Sequence, residues 1–156
     1  MSVLTTFFYF SGILFKGNPM KTSVVLNKFK PMDDEFLVDI GHKVELILMK
    51  ECPMMIPKLT SLNLNVTWIV SQWYRQYFLN VLDWKDIITF ILLLVQNGSN
   101  YAIFVFVAVF KHLKPKILQD TRQDLDLTLK SDPINFDLCN YLSYIYDLSN
   151  RYKRLF

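Results

Sequence analysis

Residues 68 to 112 read WIVSQWYRQYFLNVLDWKDIITFILLLVQNGSNYAIFVFVAVFKH. An aromatic and glutamine-rich segment opens the stretch, an apolar run follows from Ile87 to Val95, the polar break Asn97–Gly98–Ser99–Asn100 interrupts it, and a second apolar run extends from Tyr101 to Phe110. In the first segment Ile69, Val70, Trp73, Tyr77 and Val81 fall on one helical stripe, with Gln72, Arg75 and Gln76 toward the other side. The two apolar runs show no polar face, the pattern of helices surrounded by protein. Their short connection makes them antiparallel neighbours. The stretch therefore predicts an all-α protein with a buried antiparallel helix pair at its centre.

A membrane hairpin is the competing reading of the same runs, and it fails on length. Crossing the hydrocarbon core takes roughly 20 consecutive apolar residues, and the break between the runs would leave amide and backbone groups unsatisfied at mid-bilayer. The apolar start MSVLTTFFYFSGILF lacks the basic region and the small-residue cleavage pattern of a secretory signal. The chain is nonetheless rich in apolar residues, 52%, and modest in charged ones, 20%. That composition calls for additional covering, by a membrane or by protein partners.

Outward from the centre, residues 3 to 16 are expected as a helix by context, Gly17–Asn18–Pro19 as a break, and Met20 to Phe29 as a second helix. Asp33 and Asp34 stand where carboxylates favour a helix start. Phe36, Ile40, Val44, Ile47 and Leu48 then mark a buried face, which Gly41 weakens by about 1 kcal/mol relative to alanine. Pro53 and Pro57 bracket a short turn whose Met54, Met55 and Ile56 serve as core fillers. Asn65 or Thr67 caps the aromatic helix. Asp83 and Asp86 resemble a capping box for the next one. Pro115 marks the end of the second apolar helix or a kink. Residues 120 to 131 suggest a surface helix whose Leu125, Leu127 and Leu129 fit helical spacing poorly, and Asp132–Pro133 interrupts it. The last helix, from Leu138 to Leu155, keeps the apolar period throughout.

Chemistry-bearing patterns are sparse. No phosphate-cradling glycine loop, nucleophile elbow or zinc-helix motif occurs. Cys52, Cys139, His42 and His112 form no ligand cluster by spacing, so neither a metal nor a cofactor is expected. His42 lies off the apolar stripe as a rim histidine. Asp33–Asp34 and the carboxylates from Asp120 to Asp126 read as caps or solvated faces. A net charge of +3, without basic residues interleaved with aromatics, gives no ground for nucleic acid as a partner. Lys111, Lys114 and Lys116 complement a helix carboxyl terminus.

The order and spacing of several motifs carry a family resemblance. WxxxQWYxxxF at 68 to 78, LDWxDI at 82 to 87, GSNY at 98 to 101 and VAVFKHL at 107 to 113 resemble the carboxyl-terminal half of a TBC domain, the Rab GTPase-activating fold. HKVELIL at 42 to 48, KILQDT at 116 to 121 and YLSYIYDLSNRY at 141 to 152 add to it, so that 36 to 156 is best matched and 1 to 31 weakly. Residues 1 to 156 are thus expected to be one partial TBC-like domain. TBC catalysis uses an arginine finger in IxxDxxR and a glutamine finger in YxQ, and such an arginine is worth roughly 10³ to 10⁵ in rate in related systems. Two strings here mimic them. Tyr74–Arg75–Gln76 spells YxQ inside the wrong helix, and Ile117, Asp120 and Arg122 fall one residue short of the arginine motif and come after the YxQ. No catalytic, cofactor or metal residue is therefore assigned.

Within the family, the chain resembles a long ciliary member whose fingers are not kept. The resemblance implies a non-enzymatic, cytoplasmic and cilium-associated scaffold acting in cilium assembly and Hedgehog signalling. Its implied protein partners are a cell cycle-related kinase and, as a second candidate, a Rab GTPase. The alternatives are a fragment of an active Rab GTPase-activating protein with its fingers upstream, and a small integral membrane protein.

Overall fold

Phe36, Leu37, Ile40, Gly41, Val44, Ile47 and Leu48 turn to one side of the first helix, α1 (Asp34–Glu51), as their spacing requires. Asp34 and Glu35 occupy its first turn and Lys50 its last, each complementing the helix dipole. The computed structural model describes residues 34–79, 81–130 and 134–155, all within Met32–Phe156, the second of two units into which the chain divides. The helices expected over 3–16 and Met20–Phe29, the break between them, the cap at Asp33 and the interruption at Asp132–Pro133 lie outside the described residues.

Helix α2 (Met55–Ser61) runs through Pro57 rather than being bracketed by it. Pro57 sits in the first turn, where its missing N–H would have no partner. Of the three expected core fillers, Met55 is buried, Ile56 is partly buried and Met54 is exposed.

Helix α3 (Val66–Arg75) begins at Asn65, whose side-chain oxygen accepts the Trp68 N–H at 2.9 Å. It ends earlier than its apolar stripe predicts. Tyr77 and Phe78 adopt left-handed backbone, φ +48° and +60°. The Phe78 N–H reaches back to the Trp73 carbonyl at 2.9 Å and the Tyr77 N–H to Tyr74 at 3.1 Å. These two bonds make a Schellman stop, built here without glycine. What sustains the unusual torsions is burial: Phe78 is fully enclosed, packed on Trp73 at 5.5 Å and on Phe90 and Phe106 at 5.2 Å each.

Helices α4 (Trp84–Asn97) and α5 (Ala102–Gln119) are the expected pair, joined by Gly98 and a 3-10 turn (Ser99–Tyr101). Gly98 takes φ +90°, while Asn97 stays helical and donates its side-chain amide to the Leu93 carbonyl at 3.0 Å. The two helices are not buried alike. Every residue from Ala102 to Phe110 is buried, and α5 packs on α1, α2 and α4. By contrast α4 buries Ile87, Phe90 and Leu94 and leaves Trp84, Ile88, Leu92 and Val95 exposed, although its composition predicts enclosure all round. Pro115 does not end α5. Ile117, beyond it, is fully buried, and that packing offsets the hydrogen bond that proline cannot donate.

Helix α6 (Arg122–Lys130) buries Leu125 and Leu129, which are four apart and share a face, so helical spacing does fit these leucines. The Leu129 carbonyl accepts the Trp73 indole N–H at 3.0 Å, tying α6 to α3. Helix α7 (Leu138–Tyr152), followed by a 3-10 turn (Lys153–Leu155), buries Leu138, Ile145 and Leu148. Asp137 caps it by accepting the Cys139 N–H at 3.1 Å. All described regular elements are helical, and no described helix is long and apolar enough to cross a membrane.

Candidate functional site

The Tyr74–Arg75–Gln76 string diverges in space. Tyr74 points into the core, where its ring meets Phe36 edge-on at 5.8 Å and Phe106 at 5.9 Å. Burial, with Tyr77 adding to it, pushes its phenol far above the ordinary value, so it stays protonated. Arg75 turns toward α1 and pairs with the Asp34 carboxylate. Gln76 is exposed just past the end of α3. Nor do the residues of the near-arginine motif converge: Ile117 is in the core, Asp120 follows the end of α5, and Arg122 begins α6 on the surface.

Gln76 does border a groove of about 290 Å³, lined by Trp68, Ile69, Gln72, Trp73, Gln76 and Leu129. Trp68, Gln72 and Gln76 recur every fourth residue along α3, so they form one file on the side away from α1 and α5. An indole face beside two amides can hold an apolar side chain and hydrogen-bond the backbone that carries it. The spacing of Gln72 and Gln76 was visible in the sequence. Leu129 as the opposite wall was not, because it depends on where α6 docks.

A second polar cluster lies between the ends of α1 and α7. Glu51 accepts hydrogen bonds from Tyr152 Oη at 2.8 Å and Tyr144 Oη at 3.2 Å and pairs with the Arg151 guanidinium. Partial burial raises the carboxyl, but the Arg151 and Tyr152 hydrogen bonds, the Arg151 charge and Tyr144 together hold it below its ordinary value. No sequence pattern marks this cluster, since its members are about a hundred residues apart.

The remaining candidates take structural places. Asp86 is 3% exposed and accepts the N–H of Leu138 at 2.8 Å. It secures the start of α7 instead of completing a capping box with Asp83, whose side chain makes no cap bond. His112 places Nδ1 3.1 Å from Tyr141 Oη and stacks edge-on against Phe136. Burial, aided by the Lys116 charge and opposed by a backbone hydrogen bond with Asn135, holds its imidazole below the ordinary value and so favours the neutral ring. His42 is exposed, as its position off the stripe requires. Cys52 is buried and Cys139 exposed. Among the described residues, no three His, Cys, Asp or Glu side chains are placed to share a metal.

Comparison with known proteins places this helical domain in the Rab TBC class. The family model described as the broad-minded protein Rab TBC domain matches residues 29–156, and the chain belongs to that family. It is 34% identical over 117 residues to protein broad-minded of Danio rerio and 35% identical over 115 residues to protein broad-minded of Mus musculus. These alignments cover 74% and 72% of this chain but 9% of each relative's length. No solved structure gives a significant match.

Proposed function

We propose that residues 1 to 156 form part of one TBC-like domain that works as a non-catalytic interaction module of a broad-minded-type protein. The observation that carries this reading is the fate of the YxQ string. Tyr74 is a core residue, Arg75 pairs with Asp34 of α1 and Gln76 is exposed past the end of α3, so the three side chains of the string face different surroundings and are not assembled as a catalytic set. Consistent with the family resemblance, the module acts in the cytoplasm at the cilium, in cilium assembly and Hedgehog signalling. A cell cycle-related kinase is its protein partner, with a Rab GTPase as the alternative.

The test is single-turnover GTP hydrolysis by a panel of purified Rab proteins, with and without the chain in excess. No acceleration is expected, and binding of the purified kinase to the immobilised chain is. A rate increase approaching the roughly 10³-fold of arginine-finger catalysis, abolished by Arg75→Ala, would overturn the non-catalytic reading.

A further inference from the structure

Positive charge gathers at one end of the helical bundle. The amino-terminal half of α1 carries Asp34, Glu35 and Asp39, whereas its last turn carries Lys50. Lys50 Nζ lies 5.6 Å from the centre of the Tyr152 ring, and Lys111 Nζ lies 3.6 Å from the centre of Tyr144. Both tyrosines bond to Glu51, as does Arg151. Lys114 lies close enough to Cys52, the next residue, to act on its thiol. Lys153 and Arg154 follow Tyr152 directly in the closing 3-10 turn and are exposed. Six cations, Arg151 among them, thus lie near Glu51 or directly follow its partner Tyr152 in the chain, against the two carboxylates that Arg151 engages, Glu51 and Asp147, an excess larger than the net +3 of the whole chain. Among the described residues no carboxylate forms an ion pair with Lys50, Lys111, Lys114, Lys153 or Arg154.

Apolar side chains stand beside these charges. Met49 is 48% exposed and Met54 is 67% exposed, one on each side of Lys50 and Glu51. Met54 projects from the tight turn closed by the Met55 N–H to the Cys52 carbonyl at 2.9 Å. An acidic protein would meet the cations but offers no particular place for two protruding methionines. An anionic bilayer accommodates both, attracting the basic residues to its headgroups while flexible apolar side chains enter the acyl boundary.

We propose that this end of the molecule, Lys50, Lys111, Lys114, Lys153 and Arg154 with Met49 and Met54, is a peripheral docking face for anionic phospholipid membranes. It goes beyond the interaction role above and does not depend on it. Attraction of this kind falls by about fivefold for each basic residue removed near the surface and is screened by salt.

Co-sedimentation of the full chain with extruded vesicles tests it, using phosphatidylcholine alone and phosphatidylcholine mixed with phosphatidylserine, at low and raised salt. Binding to the phosphatidylserine vesicles and not to the neutral ones is expected, weakened by salt. The double change Lys153→Glu and Arg154→Glu, both on the exposed closing turn, should weaken it at least about 25-fold. Met54→Gln should weaken it severalfold without altering the salt dependence, with circular dichroism verifying that each variant is folded. Failure to bind, or equal binding to neutral vesicles, overturns the proposal. So does capture by immobilised polyglutamate together with vesicle binding that Met54→Gln leaves unchanged, the outcome that identifies an acidic protein as the partner.

Discussion

Gly41 illustrates how a residue can be misjudged by its local propensity. In the sequence it is a flaw in a helix, costing about 1 kcal/mol relative to alanine. In the fold it is the point where α1 meets the start of α3, and a Cβ there would lie 2.6 Å from Thr67 Cγ2 and 2.7 Å from Thr67 Cα. A side-chain methyl can shift, but the backbone Cα is held by α3. Gly41→Ala should therefore destabilise the domain by about 1–3 kcal/mol, the usual range for overpacking, despite its better helix propensity; a lower urea midpoint with an unchanged slope is the expected measurement. A midpoint that rises would mean that propensity outweighs the contact. Asp86 teaches the same lesson in reverse. Its spacing from Asp83 suits a local cap, yet its partner is Leu138, 52 residues away. A carboxylate that caps its own helix and one that secures a distant helix look identical in sequence, because only the approach of the second helix distinguishes them.

Among the helices, α7 depends most visibly on polar anchors. It has a regular apolar period, and its Leu138, Ile145 and Leu148 are buried as that period predicts, while Leu142 on the same stripe is left exposed. Its two ends are held by carboxylates from other helices, Asp86 at the start and Glu51 near the close. Glu51 is ionised more readily in the fold than in the open chain, so it stabilises the folded state above the ordinary glutamate range and loses that contribution as pH falls through its lowered folded value. Glu51→Gln should cost about 1–3 kcal/mol at neutral pH and flatten the loss of stability on the acid side. Urea unfolding of both proteins from neutral pH down to the acid limb provides the comparison, and parallel acid limbs would show that Glu51 does not govern it. Helix α4 marks the opposite limit of sequence reading. Its run from Ile87 to Val95 has no polar face to reveal orientation, and the structure buries Ile87, Phe90 and Leu94 while exposing Ile88, Leu92 and Val95.

Across the whole described unit, a single core links α1 through α7, with the Trp73, Tyr74, Phe78, Phe90, Phe106 and Phe110 rings packed together near its middle. The two cysteines report on that core from opposite sides. Cys139 should react with a thiol reagent in the native protein, whereas Cys52, buried and with its thiol pushed up by that burial, should react only as the core opens. If the unit unfolds cooperatively, Cys52 labelling across a urea titration will coincide with loss of the helical circular dichroism signal; labelling well before it would show that the α1–α2 turn opens locally. The sequence by itself determined the all-α class, the principal helices among the described residues and the family, and it narrowed the α3 cap to Asn65 or Thr67, since these follow from periodicity, short-range hydrogen bonding and motif order. Only the tertiary structure decided where α3 stops, which face of α4 is covered, what Asp86 binds, and that Glu51 gathers Arg151, Tyr144 and Tyr152. Each of those depends on burial or on partners far apart in the chain. The pattern of one segment does not encode the position of another; packing supplies it.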